Sequence, residues 1–219
     1  MNALVPRVWF FDLDGTLYTP TEGLWPAVGA RIEAFLQRFL NVDAETARTL
    51  RGRYVQQYGT TLRGLMEEHP HVDPYAYLEF VARVPVENFV TPDPKLRALL
   101  RALPGPKWLF TNGDAPYARR VLRALGVDDV FDGIIDIVQL NFVGKPWPQA
   151  YDRALQLARA PRPRALLVDD VRANVVAARK AGWQAVWVHP HEARPRPGVI
   201  PHVYALPHGL PPPPQERKP

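Results

Sequence analysis

Five short apolar runs punctuate the chain: RVWFFD (7–12), KWLFT (107–111), GIIDIV (133–138), RALLVD (164–169) and QAVWV (184–188). In the first, large apolar residues fall on both alternating faces and leave no solvent side. The other four follow the same pattern, which is that of strands buried on both faces of a parallel sheet. Between the later runs, residues 115–125, 147–158 and 171–181 space their apolar positions at three and four, as helices do. The first of these stops at Gly126 and the third at Gly182. Strand and helix therefore alternate from residue 93 onward, which predicts an α/β fold with a doubly wound parallel sheet.

Residues 19–90 break the alternation. They hold no convincing strand and read as helices over 24–40, 43–58, 60–69 and 74–82. The expected organisation is a catalytic core from 1–18 and 91–210, with a helical cap of 19–90 inserted after strand one. In open α/β sheets ligands bind beyond the carboxyl ends of the strands, and an insert leaving strand one would sit above that crevice. From residue 189 prolines punctuate the sequence. A short edge strand is expected at 203–206 and a disordered tail at 211–219.

Composition narrows the chemistry. The 219 residues are 47% hydrophobic and include no cysteine, which excludes disulfides, thiolate metal sites and a cysteine nucleophile. No apolar run approaches the ~20 residues of a membrane span, so a soluble, cytoplasmic protein is expected. The net charge is +5, and arginine supplies 22 of the 27 basic residues. They are scattered along predicted helices with no aromatic-interleaved stripe, so nucleic acid is not an expected partner. A positive field would instead attract a small phosphorylated metabolite.

Polar residues gather where the runs end. Asp12 and Asp14 close the first, Thr111-Asn112-Gly113-Asp114 the second and Asp169-Asp170 the fourth, with Asn174 one helical turn on. Gly144-Lys145-Pro146 precedes a helix. In a parallel sheet all four sets share one edge. Taken singly, Asp170 reads as a helix N-cap and Lys145 as a surface lysine. Taken together, clustered carboxylates raise one another's pKa unless a cation neutralises them. All-oxygen ligation suits Mg²⁺.

These residues resemble the haloacid dehalogenase-like phosphohydrolase superfamily to about residue 190. DLDGT (12–16) is similar to its first motif, Thr111 to the second, Lys145 to the third and DDVRAN (169–174) to the fourth. Val171 departs from the small residue common after the acidic pair. The resemblance implies that Asp12 is a nucleophile forming an aspartyl phosphate and Asp14 the general acid and base. It implies that Thr111, Asn112 and Lys145 bind phosphate, and that Mg²⁺ is held by Asp12, Asp170, Asp169 and the main-chain carbonyl of Asp14. Asn174 would orient metal waters or Lys145, and Gly15 would permit the turn after the strand. Asp14 argues for phosphoryl transfer, because the dehalogenase branch lacks an acid there.

The stretch YGTTLRGL…H…DPYAY (58–77) resembles the pyrimidine 5′-nucleotidase-type branch. That likeness implies pyrimidine nucleoside 5′-monophosphates as substrates, with Tyr58 and Arg63 as specificity residues beside the break at Gly59. His69 and His71 read as surface residues. A sugar phosphomutase, or a phosphatase of another small metabolite, would share the aspartyl-phosphate step. A receiver-type signalling domain also combines aspartates, Thr and Lys on a parallel sheet. Its acidic pair comes early, however, and it has no place for a 70-residue insert.

Overall fold

A computed structural model describes residues 7–19 and 23–211. The strands are β1 (Val8–Phe11), β2 (Lys107–Phe110), β3 (Gly133–Ile135), β4 (Ala165–Asp169), β5 (Gln184–Val188) and β6 (Val199–Ile200). The helices are α1 (Leu24–Leu40), α2 (Ala44–Tyr58), α3 (Thr61–Glu68), α4 (Pro74–Ala82), α5 (Pro94–Ala102), α6 (Ala115–Leu125), α7 (Pro148–Ala158), α8 (Arg172–Lys180) and α9 (Leu206–Gly209). The six strands form one sheet in the order β3-β2-β1-β4-β5-β6, and every pair is parallel. Among the described residues no helix is long and apolar enough to cross a membrane.

β1 shows why two-faced apolar runs make central strands. Trp9 and Phe11 point into one core, with Leu109, Leu166, Val168 and Val186. Val8 and Phe10 point into the other, with Phe110, Leu167, Tyr151 and Trp183. Phe10 and Phe11 are both fully buried, and burying each contributes roughly 1.5–3 kcal/mol. A polar residue at either position would leave one layer of the core unfilled.

The sheet order places the chemistry. The chain leaves β1 for β2 on one side and returns from β3 to β4 on the other. The strand order therefore switches between β1 and β4, where α/β sheets bind ligands. The Asp12 N–H donates to the Val168 carbonyl at 2.9 Å, which sets the end of β1 beside Asp169.

α1–α4 occupy the gap between β1 and β2. They share a core of Leu36, Ala47, Tyr54, Leu62, Leu65, Val72 and Tyr77. Three of them start at side-chain caps: Asp43 on Thr46 N–H, Thr60 on Arg63 N–H and Asp73 on Tyr75 N–H. His69 packs edge-on to Phe39 and lies 3.3 Å from the Tyr54 hydroxyl, while His71 stacks on Phe39.

Two expected strands differ. The run at 133–138 stops at Ile135, because Asp136 accepts from the Gln139 and Ala115 N–H groups (both 2.9 Å) and Ile137 N–H turns to Gly113. The edge strand expected at 203–206 lies earlier, at Val199–Ile200, paired with Trp187 and Val188. Pro201, which lacks an N–H, ends it. Residues 203–205 form a 3₁₀ turn leading into α9. Beyond Pro211, the expected tail lies outside the described residues.

Candidate active site

Asp12 ends β1 and Asp169 ends β4, so pairing of the two strands brings their carboxylates together. Lys145 enters from the segment before α7. Its ammonium donates to Asp12 Oδ1 at 2.7 Å, to Asp169 Oδ2 at 2.7 Å and to the Phe110 carbonyl at 2.6 Å. An ammonium has three donors, and all three are engaged. Lys145 is 1% exposed, so it is no surface lysine. Burial alone would favour its neutral form, but Asp12 and Asp169 outweigh that and hold it charged.

Asn174, on the first turn of α8, donates to both oxygens of Asp169 at 3.0 and 3.1 Å. It reaches Lys145 only through that carboxylate. Asn112, expected at phosphate, lines the cavity described below. Its side chain clamps the Lys145 backbone, accepting from the N–H and donating to the carbonyl, each at 2.8 Å. Asn112 therefore sets where Lys145 emerges. Thr111 is buried, accepts the Gly113 N–H at 3.0 Å and lines the cavity described below.

Asp170 follows β4. Thr16 donates to it at 3.3 Å, and Trp187 Nε1 donates to its carbonyl at 2.8 Å. Gly15 has φ +85°, and a Cβ there would stand 2.4 Å from Asp170 Oδ2. The glycine thus serves the turn and also the close approach of the carboxylate. Burial and the neighbouring Asp169 push Asp170 up to about 6.

Asp12, Asp169 and Asp170 each offer an oxygen within 4.8 Å of the others. Three carboxylates against one ammonium leave a formal excess of two negative charges at a buried point. Burial raises Asp12 well above the usual carboxylate range, against the pull of Lys145. This donor set is hard, anionic and short of positive charge, which fits a divalent cation such as Mg²⁺.

The Asp14 carboxylate turns away from this cluster. The Tyr117 hydroxyl donates to its Oδ1 at 2.8 Å, and the Tyr18 hydroxyl donates to the same oxygen. Burial raises the Asp14 pKa, partly offset by these two bonds. Neither tyrosine stood out in the sequence. The available signal was position: Tyr18 lies four residues beyond Asp14, and Tyr117 sits in the first turn of the helix that follows β2.

A cavity of about 310 Å³ joins this edge to the helical insert. Asp12, Asp14, Thr111, Asp170 and Asn174 line one part of it. Trp25, Val28, Ile32, Arg51, Val55, Thr60, Tyr77 and Leu78 line the other. The expected specificity residues Tyr58 and Arg63 are not among its lining residues. Tyr58 turns to Glu68, donating at 3.2 Å, and Arg63 pairs with Glu67 one turn along α3. The reason lies in their partners: Tyr58 packs on Tyr54 and bonds Glu68, and Glu67 holds Arg63, which draws both side chains away from the cavity. The break itself, Gly59 to Thr61, does line the cavity.

The sequence pattern of the haloacid dehalogenase-like hydrolases matches residues 6–182. The chain belongs to this family. It is 32% identical over 190 residues to phosphate metabolism protein 8 of Saccharomyces cerevisiae, covering 80% of this chain and 59% of the yeast protein. It is 28% identical over 201 residues to the glyceraldehyde 3-phosphate phosphatase of Pyrococcus abyssi, covering 83% of this chain and 80% of that one. In fold it is similar to the L-2-haloacid dehalogenase of Xanthobacter autotrophicus, with a TM-score of 0.59, 16% identity and 93% and 98% of the two chains covered.

Proposed function

We propose that this hydrolase is a Mg²⁺-dependent phosphomonoesterase of small phosphate esters, acting through an aspartyl phosphate on Asp12. The observation that carries the reading is that Asp12, held by Lys145, and a second carboxylate, Asp14, whose pKa is raised by burial, line the same cavity. A shared fold with a dehalogenase does not choose between reactions, but a carboxylate two residues after Asp12 supports phosphoryl transfer. Carbon–halogen cleavage releases halide and needs no proton donor, whereas an alkoxide leaving group does. The name of the Pyrococcus relative points the same way.

A carboxylate oxygen of Asp12 forms a bond to phosphorus as the bond to the leaving oxygen breaks. Asp14 gives its proton to that oxygen, and the alcohol departs. Asp14, now a carboxylate, takes a proton from water as the water oxygen bonds to phosphorus. The bond to Asp12 then breaks and inorganic phosphate leaves. As Asp12 becomes an acyl phosphate its charge passes to the phosphoryl group, and the Lys145 ammonium follows it. Thr111 offers a hydroxyl to the same oxygens. Mg²⁺ held by Asp12, Asp169 and Asp170, with the Asp14 carbonyl, would neutralise phosphoryl charge.

The helical insert acts as a cap that closes the cavity to macromolecules. Its size and apolar walls suit nucleoside 5′-monophosphates, with pyrimidine nucleotides as the first candidates. The test is phosphate release from a panel of nucleotides, sugar phosphates and short-chain phosphates. We expect release from nucleotides, silenced by chelator and restored by Mg²⁺. Release from none of the panel would contradict the phosphatase reading. A preference for a short-chain phosphate would contradict only the nucleotide assignment.

A further inference from the structure

Among the described residues, the helical wall of the cavity is mostly apolar, with Thr60 beside Gly59 and one charged side chain farther along it. Arg51 lines it there, with Thr61 and the buried Tyr77. Glu33 holds Arg51 from α1, with Oε1 3.1 Å from Nη1. The side chain crosses α1 at Gly29, where an added Cβ would lie 2.5 Å from Arg51 Nη1. A mid-helix glycine weakens a helix relative to alanine, and here the bare backbone is what lets the guanidinium through. The acidic partner, the glycine and the pocket position are independent features, and together they describe a built site.

Its depth follows from helix geometry. The carboxyl end of α2 abuts the catalytic segment: Trp147 Nε1 donates to the Tyr58 carbonyl at 2.8 Å, and a Cβ on Gly59 would lie 3.2 Å from Pro146 Cδ. Arg51 sits two turns back, on the order of 12 Å along the axis at 1.5 Å per residue. Between them lies the apolar surface of Val55, Val28 and Leu78. A two- or three-carbon phosphate would not span that surface.

Resting on the phosphatase reading above, we propose that Arg51, admitted by Gly29 and held by Glu33, is a specificity-determining residue that hydrogen-bonds a carbonyl oxygen at the far end of a flat, largely apolar leaving group. Glu33, which Arg48 also approaches at 3.8 Å, partly balances the guanidinium, so a neutral carbonyl oxygen suffices as its acceptor. Arginine supplies donors only, so a leaving group that presents only donors at that end is disfavoured. Thr61 and Tyr77 add hydroxyls that adapt to either role. A leaving group without the carbonyl forfeits a charge-assisted hydrogen bond, which costs roughly ten- to a hundredfold in discrimination.

The probes are uridine 5′-monophosphate, which carries such carbonyls on a flat ring, and ribose 5-phosphate, which lacks the ring. Two ratios are measured: kcat/KM by phosphate release, and Kd by calorimetry with Mg²⁺ in an Asp12→Asn background, where bound ester persists. The wild-type chain is expected to prefer the nucleotide. Arg51→Met should reduce the preference roughly tenfold or more. Gly29→Ala should do the same while remaining folded, because alanine favours the helix and only the end of a flexible side chain must move. Arg53→Met, two positions along α2 and paired with Glu68, should change neither ratio. Equal binding of the two probes by the wild type, or a preference kept in both variants, would overturn the proposal. Absent phosphate release with the binding preference intact would overturn the reaction proposed above and leave this recognition standing.

Discussion

At the sheet edge, Lys145 gives its three N–H groups to two carboxylates and a carbonyl, and Asn112, Asn174, Tyr18 and Tyr117 each aim at one defined acceptor. Across the same cavity, Trp25, Val28, Val55 and Leu78 offer apolar surface with a single cation among them. The first region is a network in which each polar group satisfies another. Removing one leaves a buried charge unpaired, and buried unpaired charges are costly. The second is a wall whose residues contribute by area, so substitutions there are graded. The difference teaches that reaction type and substrate choice rest on separate physics in this molecule and can be changed separately.

The largest expected effect lies in the network. Asp12→Asn keeps the shape and removes the nucleophile. Turnover should fall roughly a thousandfold or more, while the circular dichroism spectrum is unchanged. A variant that kept near wild-type turnover would break the comparison at its strongest point.

Lys145→Met comes next. It strands Asp12 and Asp169 without their cation, and breaking a buried pair costs about 3–5 kcal/mol. Denaturant unfolding in chelator should register that loss, and Mg²⁺ should recover part of it. A loss below ~1 kcal/mol, the worth of an exposed pair, would mean the network is looser than its geometry.

The acidic cluster also sets a pH dependence for the metal-free protein. Asp170 is raised to about 6 in the folded chain, against about 3.9 for a free aspartate. The folded state therefore holds its proton more tightly than the unfolded state. The contribution is full below pH ~4 and is lost as pH rises through about 6. In chelator the melting temperature should fall across that window, and Asp170→Asn should flatten the fall. A melting temperature that rises there would contradict the crowding of carboxylates.

The smallest effect belongs to the wall. Leu78→Ala removes apolar area beside the leaving group. Apolar contacts discriminate similar groups by ~1–3 kcal/mol, so kcat/KM for a nucleotide should fall by about two hundredfold at most. Phosphate release from ribose 5-phosphate should change less. Equal losses on both would show that the wall also shapes the reacting end.

The two regions were unequally legible in the sequence. The strands announced themselves through two-faced apolar runs, and the edge residues through their places at strand ends. Asp12 and Asp169 were therefore readable as neighbours, because parallel pairing of β1 and β4 brings them together; Lys145, on the segment before α7, was legible only as part of the combined pattern. The partners of those groups were not. Asn112 was expected at phosphate and lines the cavity, but the match of its amide to the Lys145 backbone is visible only in three dimensions. On the wall, Tyr58 and Arg63 were chosen for their chemistry near a helix break. Glu68 and Glu67 instead draw those two side chains away while Arg51 and Val55 line the cavity, and such partners cannot be assigned until the neighbouring helix is placed. The terminal strand was misplaced for a related reason: 199–200 and 203–206 are similarly apolar, and only pairing with β5 separates them.

The central claim is that a phosphoryl group passes through Asp12. Acid quenching during steady-state turnover of a nucleotide with Mg²⁺, followed by proteolysis and mass spectrometry, tests it directly. The expected result is a phosphorylated peptide with the modification on Asp12, absent in Asp12→Asn and absent in chelator. Phosphate release at full rate with no modified Asp12 at any quench time, and with Asp12→Asn still active, would contradict it.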